Sequence, residues 1–199
     1  MAFAIKEYDM AYNQLLTDFA AEGMGFQRVF GDELGWSYAE YLLLTHLLCA
    51  TEAYSVFDGE EFIGAIFYDK TGGKKTYDTP EFRALQKRVE ESLTDSLPAD
   101  FKSPYRRIVE FIDSYFNNAK IDGAIIFLAS DIHHSPRGIG SALLEKVESK
   151  HKGEYVALMT DSNCTVPFYE HRGFQCVKKE VIPTPAQDDY TCYIYTKTM

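Results

Sequence analysis

The chain has 199 residues and a mass of 22.7 kDa, a length typical of one domain. Its 30 acidic residues outnumber the 20 basic ones and give a formal net charge of −10 at pH 7, which argues against nucleic-acid binding because that needs a concentrated basic face. The four cysteines form no C-x-x-C pair and no metal-ligand spacing, so we expect reduced thiols and no metal site.

The first third of the chain predicts a strand, helices and a hairpin. Residues 4–8 indicate a short strand, and residues 10–50 carry two apolar stripes at helical spacing with a glycine-containing turn between them, a pattern that predicts two helices. Residues 53–57 and 62–68 are rich in β-formers. The Asp58-Gly59 pair between them is a strong hairpin signal.

Residues 70–120 predict two amphipathic helices. They lie at about 80–89 and 105–112, and a proline-marked break near Pro98 separates them. Three roles are open for this segment: a wall of a substrate site, an oligomer contact such as that of a homodimer, or packing without a part in chemistry.

A strand, a glycine-rich turn and a helix follow in order. Residues 123–130 predict a buried strand, and residues 143–147 carry apolar side chains at helical spacing. Between them, Gly138 and Gly140 allow close approach of a ligand to the main chain, and the helix start offers unpaired N–H groups to a phosphate. Leu143 stands where a dinucleotide fingerprint needs a third glycine, and no Gly-Lys-Ser/Thr follows. Neither a nicotinamide cofactor nor nucleotide hydrolysis is therefore indicated.

The last part of the chain predicts three more strands. Residues 155–159 form an apolar run, and residues 174–182 and 190–196 indicate an antiparallel pair that closes the sheet. The segment after the first of these runs contains several residues of one motif: Asn163, Tyr169, Glu170, Gly173 and Phe174.

This motif, together with the Gly138 and Gly140 loop, resembles the GNAT superfamily of N-acetyltransferases. In that family an acyl-CoA loop of the form Gln/Arg-x-x-Gly-x-Gly/Ala precedes an Asn and a short helix ending in Tyr-Glu-x-x-Gly-Phe. The resemblance covers roughly residues 121–180. It implies an α/β (α+β) fold with a mixed, mostly antiparallel central sheet flanked by helices. We interpret residues 1–199 as a single acyl-CoA N-acyltransferase domain, with a helical insertion at about 70–120 before the cofactor-binding strand.

The resemblance also implies which residues bind acetyl-CoA. Tyr169 matches the family's tyrosine that protonates, or donates a hydrogen bond to, the CoA sulfur, and a tyrosine hydroxyl stays protonated at neutral pH. Asn163 has two compatible roles, a hydrogen bond to the cofactor arm and a cap on the short helix. The expected cofactor-binding set is Leu128, Ala129, Ser130, Arg137, Gly138, Ile139, Gly140, Ser141, Asn163 and Tyr169.

Two positions depart from the family pattern. Ser135 stands where the loop usually begins with Gln or Arg, and Pro136 stands where a glycine is common. Proline has no N–H to donate to a phosphate. The Arg137 guanidinium can add a charge-assisted bond instead.

The family chemistry is acetyl transfer from acetyl-CoA to a primary amine by direct attack on the thioester. The acceptor is an amine of a small molecule or a protein, and no metal takes part. The general base is open among Asp131, His133, His134, Glu40, Glu61, Glu110 and water. Two other functions remain open: a non-catalytic acyl-CoA-binding regulatory module with the same fold, which the Ser135-Pro136 departure favours, and a structural domain that binds no CoA.

Three further expectations come from composition. Aromatic residues make up 15% of the chain, which suggests a core and a binding groove built on flat rings. No apolar run approaches membrane-spanning length, so we expect no membrane partner. Residues 1–6 lack the layout of a signal peptide, and we expect a cytoplasmic location.

Overall fold

The computed structural model describes residues 3–135 and 137–199. Pro136, the loop residue that has no N–H to donate to a phosphate, lies outside these ranges. The strands are β1 (Ala4–Glu7), β2 (Glu52–Asp58), β3 (Glu61–Lys70), β4 (Gly123–Ser130), β5 (Tyr155–Asp161), β6 (Gln175–Val181) and β7 (Thr191–Thr198). The helices are α1 (Asn13–Gly23), α2 (Phe26–Phe30), α3 (Asp32–Cys49), α4 (Pro80–Ser96), α5 (Lys102–Phe116), α6 (Ile139–Lys150) and α7 (Val166–His171), with single 3-10 turns at Met10–Tyr12 and Ala99–Phe101.

Within the described residues the strands form one sheet in the order β1-β2-β3-β4-β5-β7-β6. Only the central β4–β5 pair is parallel, and every other neighbouring pair is antiparallel. A parallel pair needs a crossover, and α6 supplies it. The predicted mixed, mostly antiparallel sheet flanked by helices is confirmed.

Alternating residues of the strands build a core on each face of the sheet. On one face α6 packs Leu143, Leu144 and Val147 against side chains that include Ile63 and Ile66 of β3. On the other face α1 and α3 pack against Ala65 and Phe67, while α5 inserts Phe111 against Cys192 and Ile194 of β7. The helices between β3 and β4 therefore cover the same face as α1 and α3.

A close approach of backbones joins β3 to the end of β4. Gly64 has φ +157° and pairs with Ser130. A Cβ atom added at Gly64 would lie 2.7 Å from the Ala129 carbonyl oxygen, a distance that real Cβ contacts do not reach. Glycine at this position lets β3 hold the last residues of β4 in place.

The stretch 10–50 contains a third helix, α2, where the sequence predicts two helices and a turn. Gly25 with φ +73° and Gly31 with φ +82° interrupt the helical path on either side of α2. Each glycine permits a left-handed or extended conformation at low cost, so a single turn of helix fits between the two breaks. None of the helices within the described ranges has the length and apolar composition needed to span a membrane.

A partly buried ionic network ties the start of β5 to β3 and to the end of α6. The Glu154 carboxylate accepts hydrogen bonds from the Tyr68 hydroxyl at 2.7 Å and from Lys70 Nζ at 2.5 Å, and it lies 3.1 Å from His151 Nδ1. Burial alone raises the pKa of Glu154, but hydrogen bonds from Lys70, Tyr68 and His151 outweigh it and lower that pKa from 4.5 to about 2.

Replacement of Glu154 by glutamine is expected to destabilise the fold at neutral pH by about 2 kcal/mol, the size of a hydrogen bond to a charged group. Because the pKa of Glu154 is lower in the folded chain than its ordinary 4.5, the carboxylate stabilises the fold above pH 4.5 and stops doing so as pH falls towards about 2. Urea midpoints measured from pH 7 to pH 2 should therefore converge for the wild type and Glu154→Gln. A gap that stays constant over that range would contradict the network.

Candidate active site

The sheet opens between its two parallel central strands. β4 and β5 pair only at Gly123 with Val156, Ala124 with Ala157 and Ile125 with Leu158. Beyond these pairs β4 continues along β3 as far as Ser130, and β5 continues along β7 as far as Asp161. The two strands therefore diverge, and a gap lies between their carboxyl ends.

A cavity of about 320 Å³ lies at this gap, a size that suits a small-molecule site. The end of β4 forms one wall, the first turn of α6 a second, and α7 with the residues before it a third. α1 covers the cavity from the other side. The lining residues from α1 and the residue after it, and from α7 and the turn before it, are Phe19, Gly23, Met24, Cys164, Thr165, Phe168 and Tyr169.

Most of the predicted cofactor-binding residues meet in this cavity. The residues that line it are Leu128, Ala129, Ser130, Gly138, Gly140, Ser141 and Tyr169. Three others do not line it. Arg137 is exposed, the Ile139 side chain is buried in the core beside Leu143, and Asn163 lines a second, smaller cavity of about 60 Å³.

The first turn of α6 faces the cavity. Gly138 has φ +113° and precedes the helix, so the N–H groups of Ile139, Gly140 and Ser141 lie in the turn that has no intrahelical acceptors. A Cβ atom added at Gly140 would lie 3.4 Å from Phe168 Cζ and 3.9 Å from Leu128 Cδ2. The absence of a side chain at Gly140 thus keeps the cavity open beside unpaired donors, which is an arrangement suited to an anion.

Tyr169 lies at the α7 end of the cavity. Its ring packs against Phe168, Phe174 and Tyr195 with centroids 5.2 to 6.3 Å apart. Burial, and to a smaller degree the nearby Cys164 and Asp161, raise the pKa of Tyr169 above its ordinary 10. The hydroxyl therefore stays protonated at neutral pH and can donate a hydrogen bond.

Sequence reasoning missed the side chains that α1 and the turn before α7 contribute. Phe19 of α1 and Met24, which directly follows that helix, are far away in sequence, and only tertiary contact brings them to the cavity. Cys164 follows Asn163 of the motif directly, and burial raises the pKa of its thiol to about 12. Such a thiol stays protonated and is a poor nucleophile.

None of the residues considered as a general base lines the cavity. His133 is exposed and pairs through Nε2 with Glu22 at 2.8 Å, and His134 pairs with Asp58 at 3.1 Å. The other candidates for the general base are Asp131, Glu40, Glu61 and Glu110, and none of these lines the cavity. A carboxylate that the sequence did not single out, Asp161, lies at the end of β5 beside the gap, and burial raises its pKa.

The polar groups that the site offers to a ligand are backbone N–H donors and hydroxyls. Within residues 3–135 and 137–199, no group of three or more His, Cys, Asp or Glu side chains is placed to hold a metal ion. The free thiols there are Cys49, Cys164, Cys176 and Cys192.

Similarity to known proteins is found in the structure and not in the sequence. The sequence matches no protein-family model, and no curated protein matches it. A histone acetyltransferase HPA2 and related acetyltransferase from Corynebacterium glutamicum is similar in structure, with a TM-score of 0.62 and 16% identity over 100% of this chain and 98% of that one. A Desulfovibrio desulfuricans protein assigned to the GNAT family of acetyltransferases has a TM-score of 0.55 and 17% identity over 99% of both chains. This chain has the GNAT fold.

A further structure with the GNAT fold is the polyamine N-acetyltransferase of Drosophila melanogaster, an enzyme that forms N-acetylagmatine. Its TM-score is 0.57 and its identity 13%, over 100% of both chains. The resemblance that the Gly138–Gly140 loop and the Asn163–Phe174 segment predict therefore extends to the fold of the whole chain.

Proposed function

We propose that this protein is an N-acetyltransferase that transfers an acetyl group from acetyl-CoA to a primary amine by direct attack of the amine on the thioester. The observation that carries the proposal is the cavity at the gap between β4 and β5. The first turn of α6, with its unpaired N–H donors, and Tyr169 both line it. Its acetyltransferase neighbours with the GNAT fold support the same reaction class.

The residues present suit acetyl-CoA as the acetyl donor. The N–H groups at Gly138 to Ser141 offer donors and a positive helix end to the pyrophosphate, and Gly140 leaves room beside them. The Arg137 guanidinium is exposed next to this turn and can add a charge-assisted bond. We assign the pantetheine arm and the thioester to the end of β4, at Leu128, Ala129 and Ser130.

In the reaction we propose, the amine nitrogen attacks the thioester carbonyl carbon. The C–N bond forms and the C–S bond breaks, and a main-chain N–H near Leu128 to Ser130 donates to the carbonyl oxygen as it gains charge. The electron pair of the broken bond goes to sulfur, and Tyr169 donates its proton, or a hydrogen bond, to the thiolate. The amine loses its extra proton to a base or to water.

Titration calorimetry with acetyl-CoA tests the cofactor assignment. We expect binding in the micromolar range, together with release of the CoA thiol when a primary amine is supplied, because the cavity is preformed and lined by donors. Thiol release is followed with a chromogenic disulfide, and a reaction without amine is the control.

Two outcomes would contradict the proposal in different ways. An absence of binding at millimolar acetyl-CoA would leave a structural domain with the GNAT fold. Binding without thiol release across a panel of amines would favour the non-catalytic acyl-CoA-binding module.

A further inference from the structure

The larger cavity has lining residues from both faces of the sheet. Leu128, Phe168 and Tyr169 pack with the core on the α6 face, whereas Phe19 and Met24 pack with the core on the α1 face. The two sides meet at the gap beyond the last pairs of β4 with β5. A cofactor bound at the first turn of α6 and at Tyr169 would therefore leave the α1 face of the cavity free for the acceptor.

The α1 face of the cavity is apolar. Phe19 and Gly23 belong to α1, Met24 directly follows it, and Ile132 follows β4. A Cβ atom added at Gly23 would lie 3.5 Å from Ile132 Cγ2, so the helix and the segment after β4 adjoin here. We call these four residues the α1 wall. None of their side chains is charged or can donate a hydrogen bond, so the wall favours contact with an apolar group.

The cavity offers no counter-charge to a cation. Within the described residues, its lining contains no Asp, Glu, Lys, Arg or His. The two acidic residues of α1 closest in sequence to Gly23 have contacts of their own. Glu22 lies 2.8 Å from His133 Nε2, and Asp18 accepts a hydrogen bond from the Trp36 indole at 2.6 Å. A second ammonium group on the acceptor would therefore lose water in the cavity without meeting a free carboxylate.

The cavity is large enough for both reacting groups. Its volume of about 320 Å³ is twice the roughly 150 Å³ of a cavity that binds one benzene ring. The thioester arm takes part of this space at the end of β4. The space that is left beside the α1 wall suits a chain of a few carbon atoms.

We infer that the acceptor is a primary monoamine with an apolar chain, that this chain lies against the α1 wall, and that Ile132 sets the preference. This inference rests on the proposed function. Ile132 is 57% exposed, and the other residues of the wall are less exposed. It therefore lies on the solvent side of the wall, where an entering amine meets it.

Pentylamine and putrescine test the substrate class as a matched pair. The two amines have the same chain length, and a methyl group of the first replaces the second ammonium group of the other. With acetyl-CoA saturating, kcat/KM for pentylamine is expected to exceed that for putrescine by about 10-fold or more, because only putrescine must bring a second charge into the cavity. If putrescine is the equal or better substrate, the inference is overturned, although release of the CoA thiol would still support the proposed acetyltransferase function.

Ile132→Glu tests the location of the chain. It places a carboxylate in the α1 wall, and the exposure of the position keeps the cost in folding free energy small. We expect kcat/KM to fall for pentylamine and to rise for putrescine, so that their ratio changes by about 10-fold or more. The apolar contact is lost, and the second ammonium group gains a counter-charge. Ile132→Leu keeps an apolar side chain and should keep the wild-type ratio.

Val181→Glu is the matched control. Val181 is also β-branched and is 53% exposed, but it lies on β6 and does not line the cavity. Its glutamate adds the same charge to the protein, so the ratio should stay that of the wild type. An unchanged ratio in Ile132→Glu, or an equal change in Val181→Glu, would remove the chain from the α1 wall.

Direct binding separates this inference from the proposed function. Saturation-transfer NMR of pentylamine, recorded without cofactor and with CoA added, should show binding to the wild type and to Val181→Glu but much weaker binding to Ile132→Glu. This result would support the amine site even if acetyl-CoA were not hydrolysed or transferred and the proposed function were lost. Equal signals for all three proteins, or no binding to any of them under either condition, would contradict the site.

Discussion

Tyr169→Phe is expected to lower kcat for acetyl transfer by about 100-fold, the lower range of general-acid effects, while the Kd for acetyl-CoA changes little. Tyr169 lines the cavity, and burial raises the pKa of its hydroxyl, which therefore stays protonated. Its removal leaves the departing thiolate without a donor but leaves the ring contacts with Phe168 and Phe174 intact. Single-turnover kinetics with saturating acetyl-CoA and a calorimetric Kd measure the two quantities separately.

Tyr195→Phe is the matched control for that variant. The Tyr195 ring lies 6.3 Å from that of Tyr169, but its hydroxyl donates to Glu170 at 2.8 Å and does not line the cavity. The same atom is removed from a neighbouring ring, so kcat should stay within about twofold of the wild type because no reacting group is lost. If both variants lose activity equally, packing rather than proton donation explains the effect. If Tyr169→Phe keeps its full kcat, Tyr169 has no part in the acid step.

Gly140→Leu is expected to weaken acetyl-CoA binding by about 10- to 100-fold, the loss of one or two charge-assisted hydrogen bonds. The new side chain starts 3.4 Å from Phe168 and 3.9 Å from Leu128, so it occupies the cavity beside the first turn of α6. Leucine has a higher helix propensity than glycine, and Gly140 lies within α6. Tm is therefore expected to be preserved while Kd rises, and calorimetry with differential scanning measures both.

Ser149→Leu makes the corresponding change on the exposed side of the same helix. It adds the same side chain to α6 away from the cavity, so its Kd for acetyl-CoA should match that of the wild type. Unchanged affinity in Gly140→Leu would place the cofactor phosphates elsewhere.

The sequence predicts the sheet better than the helices that cover it. The Asp58-Gly59 hairpin, the strand at 123–130 and the closing pair near residues 175 and 191 each have local signals in turn residues or β-formers. The sequence contains no local signal of this kind for the extra helix α2. Five residues between two glycines are too few for helical periodicity, and tertiary contacts such as Phe30 with Phe101 stabilise the turn.

The residues of the candidate site differ in the same way, because a local motif predicts some of them and only tertiary packing positions the others. Residues of the Gly138 loop and Tyr169 belong to segments with a recognisable motif, and they do meet in one cavity. Phe19, Met24 and the Asp161 carboxylate gain their positions from strand pairing and helix packing, which no local pattern records. Asn163 belongs to the motif, yet from the turn between β5 and α7 it lines the second, smaller cavity and not the larger one.

The divergence of β4 and β5 has a consequence for aggregation. Strand edges normally lie at the periphery of a sheet, where another chain can add to them, and proteins protect such edges with charges, bulges or covering segments. Here two edges face each other inside the sheet after Ile125 and Leu158. Side chains of α1, α6 and α7 surround that opening. The elements around the opening leave room for a small molecule but not for the strand of a second chain, so these two strand edges offer no site for intermolecular β-pairing.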